Sequence, residues 1–448
     1  MKLRLTKTAD RAEDIRTEQV LAFAEDVEGV ENEVVNLYPD RCFEEFEGFG
    51  GAITDAAGYV YSLMDEEDKK KVIETYFEED QMGYRLVRVH MDSCDFSTEM
   101  YEAVSDPEDR ELKTFSFERT EKYILPMLQD AQKAAGGRIE LMLSPWSPPA
   151  FMKTNGSRKH GGHLKPEYAD MWADCICRYI REFQNRGFKV RRISLQNEAK
   201  AVQTWDSCVY SAAQEKEFLE EHMYPALIRH GLEEIEVFIW DHNKERAFER
   251  AEETVTGKAA DMVSGVACHW YSGDHFESLD LLRRFHPELK LIISESCIEY
   301  SKFSAEDEFD NAARLSHEII GDLSHGVTAF YDWNILLDET GGPNHVGNLC
   351  QAPFLYDTGN RKLMPQKIQE HFWHFSHFIH PGAKRMAFSR YTDKIDMTAF
   401  VNPDGTPVFV MLNRSEEEIP AVIRLDGQTA SFVLGAHEIL TGEIIGRE

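Results

Sequence analysis

The sequence predicts an α/β protein, a closed (β/α)8 TIM barrel with a small antiparallel β-sandwich side domain. Two features carry the prediction. From Phe46 onward, short β-type runs alternate with longer amphipathic segments, and the alternation counts to eight. After His380-Pro381-Gly382 the pattern changes to period-two runs broken by turn signals, with Asp396 to Val401 and Val408 to Leu412 flanking Asn402-Pro403-Asp404-Gly405. Alternation alone also suits a doubly wound open sheet, so closure of the barrel is an expectation for the structure to decide.

In chain order, the candidate strands end near Gly48 to Ala52, Leu86 to Val89, Leu141 to Leu143, Ile193 to Leu195, Val237 to Trp240, Val266 to Cys268, Leu291 to Ile293 and Thr328 to Phe330. Helical patterns lie between them, among others Glu66 to Tyr76, Phe117 to Ala135, Tyr168 to Gln184 and Ala212 to Leu227. Residues 1–45 contain strand-like pieces such as Glu33-Val34-Val35-Asn36-Leu37 and no barrel repeat. They are expected to pair with the C-terminal strands, giving a barrel over 46–380 and a discontinuous side domain from 1–45 and 381–448.

Composition narrows the function. Asp plus Glu number 80 against 49 Lys plus Arg, and the net charge of −31 repels nucleic acid phosphates and anionic membrane surfaces. No run approaches the ~18 apolar residues of a membrane span, and the N-terminus lacks an apolar signal region. The expectation is a cytoplasmic, bacterial protein without stable membrane association, acting on a small neutral molecule such as a sugar and needing no cofactor. Its oligomeric state is not legible. Eight cysteines at 42, 94, 175, 177, 208, 268, 297 and 350 form no C-x-x-C pair, and read as reduced thiols. His371, His374, His377 and His380 recur every third residue, but that spacing rotates round a helix, so packing and capping roles are expected rather than a metal site.

The chemistry collects where strands end. Leu291 to Ser294 runs straight into Glu295, and Arg192 to Asn197 ends on Glu198 in the same way. A lone strand-end Glu more often begins a solvated loop. Two such acids across a barrel mouth are what a glycosidase needs, one to handle the proton of the bridging oxygen and the other to attack the sugar carbon. The remaining rims supply Asp55, Asp92 and Asp95, Trp146, Asn197, Asp241-His242-Asn243, His269-Trp270-Tyr271 and Asp332-Trp333-Asn334. Acids, amides and aromatics suit pyranose rings, whose faces stack and whose hydroxyls hydrogen-bond. No rim shows a recognisable His/Asp metal cluster in sequence.

The blocks GFGGAITDAA (48–57), RVHMDSCDFS (88–97), SPWSPPAFMKTNG (144–156), LQNE (195–198), HWYSGDHF (269–276), ISESC (293–297), DWNILLDETGGPN (332–344) and FVMLNRS (409–415) resemble glycoside hydrolase family 30 of clan A, the group containing acid β-glucosidase (glucosylceramidase). The resemblance implies Glu295 as nucleophile and Glu198 as acid/base. It also implies Asn197 on the sugar 2-hydroxyl, Asp55 and Trp146 on other hydroxyls, Trp333 closing the far side, and Arg88 and Tyr271 hydrogen-bonding the nucleophile. His269 and Asn348 complete the substrate-binding set. Two positions depart from the family pattern: Ala199-Lys200 replaces the usual Pro after the acid/base, and His345 follows GGPN.

The expected activity is that of a retaining, exo-acting β-glucosidase working by double displacement, with the two carboxylates ~5–5.5 Å apart and Glu198 raised in pKa. β-Xylosidase, β-fucosidase and β-1,6-glucanase keep the mechanism and change the sugar. A non-catalytic sugar-binding barrel is the alternative from another class. Sphingolipid metabolism follows only from the family resemblance, and the missing signal region favours a soluble glucoside.

Overall fold

The computed structural model describes residues 1–9 and 16–447. Eight parallel strands form a closed barrel: strand one Gly48–Ala52, two Leu86–Met91, three Glu140–Pro145, four Lys189–Ser194, five Glu236–Asn243, six Gly265–His269, seven Lys290–Glu295 and eight Ala329–Asn334. Strand eight pairs in parallel with strand one, Ala329 opposite Gly48 and Phe330 opposite Phe49, which excludes the open sheet. Inward-facing Leu86, Met142, Phe238, Ala267, Ile292, Ala329 and Tyr331 fill the lumen, so the barrel is a packed core whose chemistry must sit at its rim. Strand one approaches strand two so closely at Gly50 that a methyl there would strike the Leu86 carbonyl.

Most helices lie where periodicity put them, within a residue or two at each end. Glu66–Phe77 opens on Asp65, whose carboxylate accepts the Asp68 N–H at 3.0 Å. The segment predicted as one helix from Ala212 to Leu227 is three pieces. Ala212–Phe218 starts with a Ser211/Gln214 capping box, a π-helical turn occupies Leu219–Met223, and Tyr224–Arg229 follows. Pro225 has no N–H to continue the α ladder, and the wider turn absorbs the break.

In the side domain, Lys2–Ala9 pairs antiparallel with Glu438–Ile445, and Val34–Glu45 antiparallel with Lys384–Ser389. The N-terminal strands therefore do join the C-terminal ones. The expected all-antiparallel pattern has one exception, because Val34–Glu45 runs parallel to Ile419–Leu425. The domain has its own core around Leu3, Val35, Met397, Phe409 and Leu440. It docks on the barrel through Phe46 against Phe400, ring centroids 5.8 Å apart, and through helix Lys367–Ser376. On that helix His374 is buried with one ring nitrogen on Thr441 Oγ1 and the other on Thr8 Oγ1, both at 2.9 Å. His371 meets Ser316 Oγ and His377 meets the Gln81 carbonyl. Each histidine of the series has its own partner, so they pack and tie rather than converge on an ion.

Candidate active site

Arg88 is the centre from which the site is built. It points inward from strand two with no exposure, and its guanidinium reaches residues from four other strand ends. It donates to Ser144 Oγ (3.2 Å) on strand three, Asn197 Oδ1 (2.8 Å) just past strand four, Asp241 Oδ2 (2.9 Å) on strand five and Glu295 Oε2 (2.6 Å) at the end of strand seven. Five donors in a rigid plane can do this, and a lysine could not. The other oxygen of Glu295 accepts from the Tyr271 hydroxyl at 2.9 Å. Asp241 is further held by Ser194 and Ser294 hydroxyls, each at 2.5 Å, and by His269 Nε2 at 3.2 Å. Burial opposes its charge, but Arg88 and these donors outweigh burial and hold the Asp241 carboxyl well below the usual range.

Backbone strain concentrates at the same rim. Glu198, Asp241 and Trp240 have φ of 48°, 44° and 73°, and Asp92 has 57°, left-handed values that side chains rarely adopt. The Glu198 N–H donates to the Asp241 carbonyl at 2.7 Å, so the turns after strands four and five brace each other. That bracing aims Glu198 into a cavity of ≈ 180 Å³, whose lining includes Asp95, Trp146, Asn197, Gln203, Trp205, His242, Tyr271, Glu295, Cys297, Trp333 and Asn348. Trp146 and Trp333 stack at 5.4 Å with 21° between planes, and Arg88 lies 4.8 Å from the Trp146 ring. Asn197 has its oxygen fixed by Arg88, which leaves its NH₂ free to donate to a hydroxyl.

Of the residues singled out by sequence, Glu198, Glu295, Trp146, Asn197, Tyr271, Trp333 and Asn348 line this one cavity, with Arg88 and His269 fully buried in hydrogen-bond or ion contact with its acids. Asp55 does not join them. Its carboxylate is taken up by Arg119 Nε at 2.7 Å and by the Thr98 N–H at 2.9 Å, and it braces the first helix instead. The acid that faces the cavity is Asp95, bonded by Asn348 Nδ2 at 3.0 Å; burial first, then Glu295, push its carboxyl up to about 8. Sequence placed both aspartates at rims and put Asp55 in the sugar-binding set; nothing local to Asp55 announces Arg119, 64 residues away.

Glu198 also departs from expectation. Burial raises its carboxyl, but His242 Nδ1 at 3.4 Å and His269 Nδ1 at 3.7 Å outweigh burial and hold it below the usual range. His269, despite burial, is pushed up to about 9 by Glu295, Asp241 and Glu198. The acid/base candidate and His269 thus sit in direct ionic contact, each shifting the other. The ligand atoms of Glu198, His242 and His269 all lie within 4.8 Å of one another, a cluster that sequence reading did not find. Strands four, five and six assemble it, so no local spacing could reveal it.

The two departures from the family pattern are structural. Ala199 is buried and its carbonyl accepts the Tyr210 N–H at 2.7 Å, while Lys200 is exposed. His345 ties its loop to the Ser97 carbonyl at 2.8 Å, with Asp206 at 3.7 Å.

Comparison with known proteins matches residues 46–379 to the glycosyl hydrolase family 30 TIM-barrel domain and residues 382–441 to the family 30 β-sandwich domain. The chain is 31% identical over 409 residues to lysosomal acid glucosylceramidase of Mus musculus, covering 87% of this chain and 79% of that protein. It is 23% identical over 425 residues to an endo-1,6-β-D-glucanase of Neurospora crassa, covering 89% and 85%. Among solved structures, SrfJ from Salmonella typhimurium superposes with a TM-score of 0.96 at 34% identity over 100% of both chains. With both of its domains matched in order and its acids gathered at one barrel mouth, the chain belongs to glycosyl hydrolase family 30.

Proposed function

We propose that the enzyme is a retaining, exo-acting β-glucosidase, with Glu295 as nucleophile and Glu198 as acid/base. The observation that supports this best is the unequal company of the two acids around one cavity. Arg88 and Tyr271 each donate to a different oxygen of Glu295, which fixes it as an acceptor facing the cavity. Glu198 faces the same cavity with no arginine or tyrosine on it among the described residues, its neighbours being His242 Nδ1 at 3.4 Å and His269 Nδ1 at 3.7 Å. In the first step Glu295 attacks the anomeric carbon and displaces the departing oxygen, to which the protonated Glu198 carboxyl gives its proton. Water then enters on the vacated face, loses a proton to Glu198 and releases the sugar. Asp95 with Asn348, the free NH₂ of Asn197 and the Trp146–Trp333 pair supply hydroxyl and ring contacts for the glycone. A reducing compartment fits the eight free cysteines, in keeping with a cytoplasmic setting.

A second reading keeps the mechanism and lengthens the substrate. A neighbouring cavity of ≈ 380 Å³ shares Tyr271, Glu299 and Lys302 with the first and is walled by Trp270 and Phe303, stacked at 6.3 Å. A β-1,6-linked glucan could continue into it. Turnover of chromogenic β-glucoside, xyloside, fucoside and galactoside substrates, alongside a β-1,6-glucan, separates the readings: glucose alone is expected as product, and oligosaccharides would favour endo action. Proton NMR should show the β anomer first, and a 2-fluoro sugar should label Glu295. Initial α anomer would overturn the mechanism.

A further inference from the structure

We propose that Glu198, His242 and His269 form a binding site for a first-row divalent transition metal of the Zn²⁺ class, and that the ion inhibits the enzyme by ligating the carboxylate that serves as acid/base. The inhibitory part rests on the catalytic reading above; the binding part does not.

The donor atoms have metal-site spacing. A tetrahedral ion with bonds of about 2.0–2.1 Å sets its ligands about 3.3 Å apart. Glu198 Oε1 stands 3.4 Å from His242 Nδ1 and 3.7 Å from His269 Nδ1, and all three ligand atoms fall within 4.8 Å of one another. Both Nδ1 atoms are buried, on side chains 11% and 0% exposed, and each meets Glu198 Oε1 only at ion-pair range, without a hydrogen bond of good geometry. Buried nitrogens held this loosely gain when an ion is seated between them and the carboxylate. The next shell is also in place. His269 Nε2 is directed at Asp241 Oδ1 at 3.2 Å, which sets the ring so that Nδ1 points at Glu198, the carboxylate–histidine–metal arrangement. Asp241 is itself gripped by Arg88, Ser194 and Ser294, so the ring has little freedom to turn away. Charge favours a cation, because among the described residues Asp95, Glu198, Glu295 and Glu299 line the cavity against a single lysine, Lys302, with Arg88 already paired to Glu295 and Asp241. His242 and Glu198 line the cavity, leaving an open fourth position toward it. Two imidazoles and one carboxylate suit Zn²⁺, Co²⁺ or Cu²⁺ and not Mg²⁺ or Ca²⁺.

Isothermal titration of the metal-free enzyme with ZnCl₂ should give one site, and Co²⁺ should produce the visible absorption of a low-coordinate complex. His242→Gln and Glu198→Gln should each weaken Zn²⁺ about 100-fold, while His160→Gln, at an exposed histidine, should leave it unchanged. Turnover of an aryl β-glucoside should fall over the concentrations at which Zn²⁺ binds, recover with EDTA and ignore Mg²⁺. No binding, or binding unaffected in both variants, overturns the site. Should His242→Gln not fold, the near-isosteric Glu198→Gln decides alone. Zn²⁺ binding in an enzyme that turns over no glycoside would sink the catalytic reading and leave the site standing; normal turnover without binding would do the reverse.

Discussion

The two ends of the barrel use the same ionic chemistry to opposite purposes. At the base, where strands begin, Glu47, Glu140 and Glu236 meet Lys189, Arg191, Arg192 and Lys290, and every one of these charges has an opposite partner. Arg191 bonds Glu47 at 2.7 Å and Glu140 at 2.8 Å, Arg192 lies 2.9 Å from Glu236, and Lys290 lies 2.7 Å from Glu47. At the mouth, Arg88 pairs with Glu295 and Asp241, while Glu198 and Asp95 face the same cavity without an arginine or lysine salt bridge among the described residues, and two histidine nitrogens meet Glu198 only at 3.4 and 3.7 Å. A closed ionic belt holds strands in register. An acid-rich cluster with spare lone pairs is costly to fold, and it persists because packing elsewhere holds it open for a ligand.

The largest expected effect comes from breaking the mouth at its nucleophile. Glu295→Gln keeps shape and hydrogen-bond reach but removes the attacking oxygen, so kcat should fall by roughly four orders of magnitude or more, with the melting temperature kept or raised. A drop in melting temperature matching the activity loss would mean that Glu295 is structural. Next is the choice between the two aspartates. Asp95→Ala should lower kcat/KM about 10²- to 10³-fold, whereas Asp55→Asn should act mainly on stability by loosening Arg119. Equal kinetic losses would return Asp55 to the sugar site.

At the base the sign of the outcome reverses. Arg192→Leu removes a buried cation from between Glu47 and Glu236, and should cost about 3 kcal/mol of stability, measured by urea unfolding. Activity per folded molecule should not change, because nothing at the base reaches the cavity. A variant as stable as the parent would show that Arg191 and Lys290 suffice.

These contrasts also mark what could be read from sequence. Barrel strands and most helices were legible because burial imposes periods of 2 and 3.6 on the chain itself, as in Leu291 to Ser294 and Glu66 to Tyr76. The placing of Glu198 and Glu295 at one mouth was legible because two acids each stand where a buried barrel strand ends. The pairing of Asp55 with Arg119, the contact of Asp95 with Asn348, the His242–His269 pair and the parallel pairing of Val34–Glu45 with Ile419–Leu425 were not. Each depends on which residues of distant strands meet, and that is set by closure of the barrel and by sheet order. The packing roles of His371, His374 and His377 show the converse, since helical geometry alone sends them to different partners.

The smallest effect, and the sharpest contrast, is in pH. Burial opposes the charge on Glu47, but Arg192, Arg191 and Lys290 outweigh it and hold its carboxyl below its ordinary value. Its contribution to stability is therefore complete above the unfolded value of about 4.3, and is lost as pH falls through the lower folded value. Asp95 has the opposite sign. Its folded carboxyl is raised to about 8, against about 3.9 when unfolded. Between those values the folded state holds a proton that the unfolded state has lost, so stability falls as pH rises from about 4 to about 8. Urea midpoints from pH 3.5 to 8.5 for the parent, Glu47→Gln and Asp95→Asn should then diverge in opposite directions. The advantage of the parent over Glu47→Gln should be level above pH 6 and shrink in acid. Asp95→Asn should gain on the parent as pH rises toward 8, because the amide never has to ionise among Glu295 and Glu198. Parallel curves for Asp95→Asn and the parent would mean that Asp95 is solvated like a surface acid, and the mouth would then be less strained than its geometry implies.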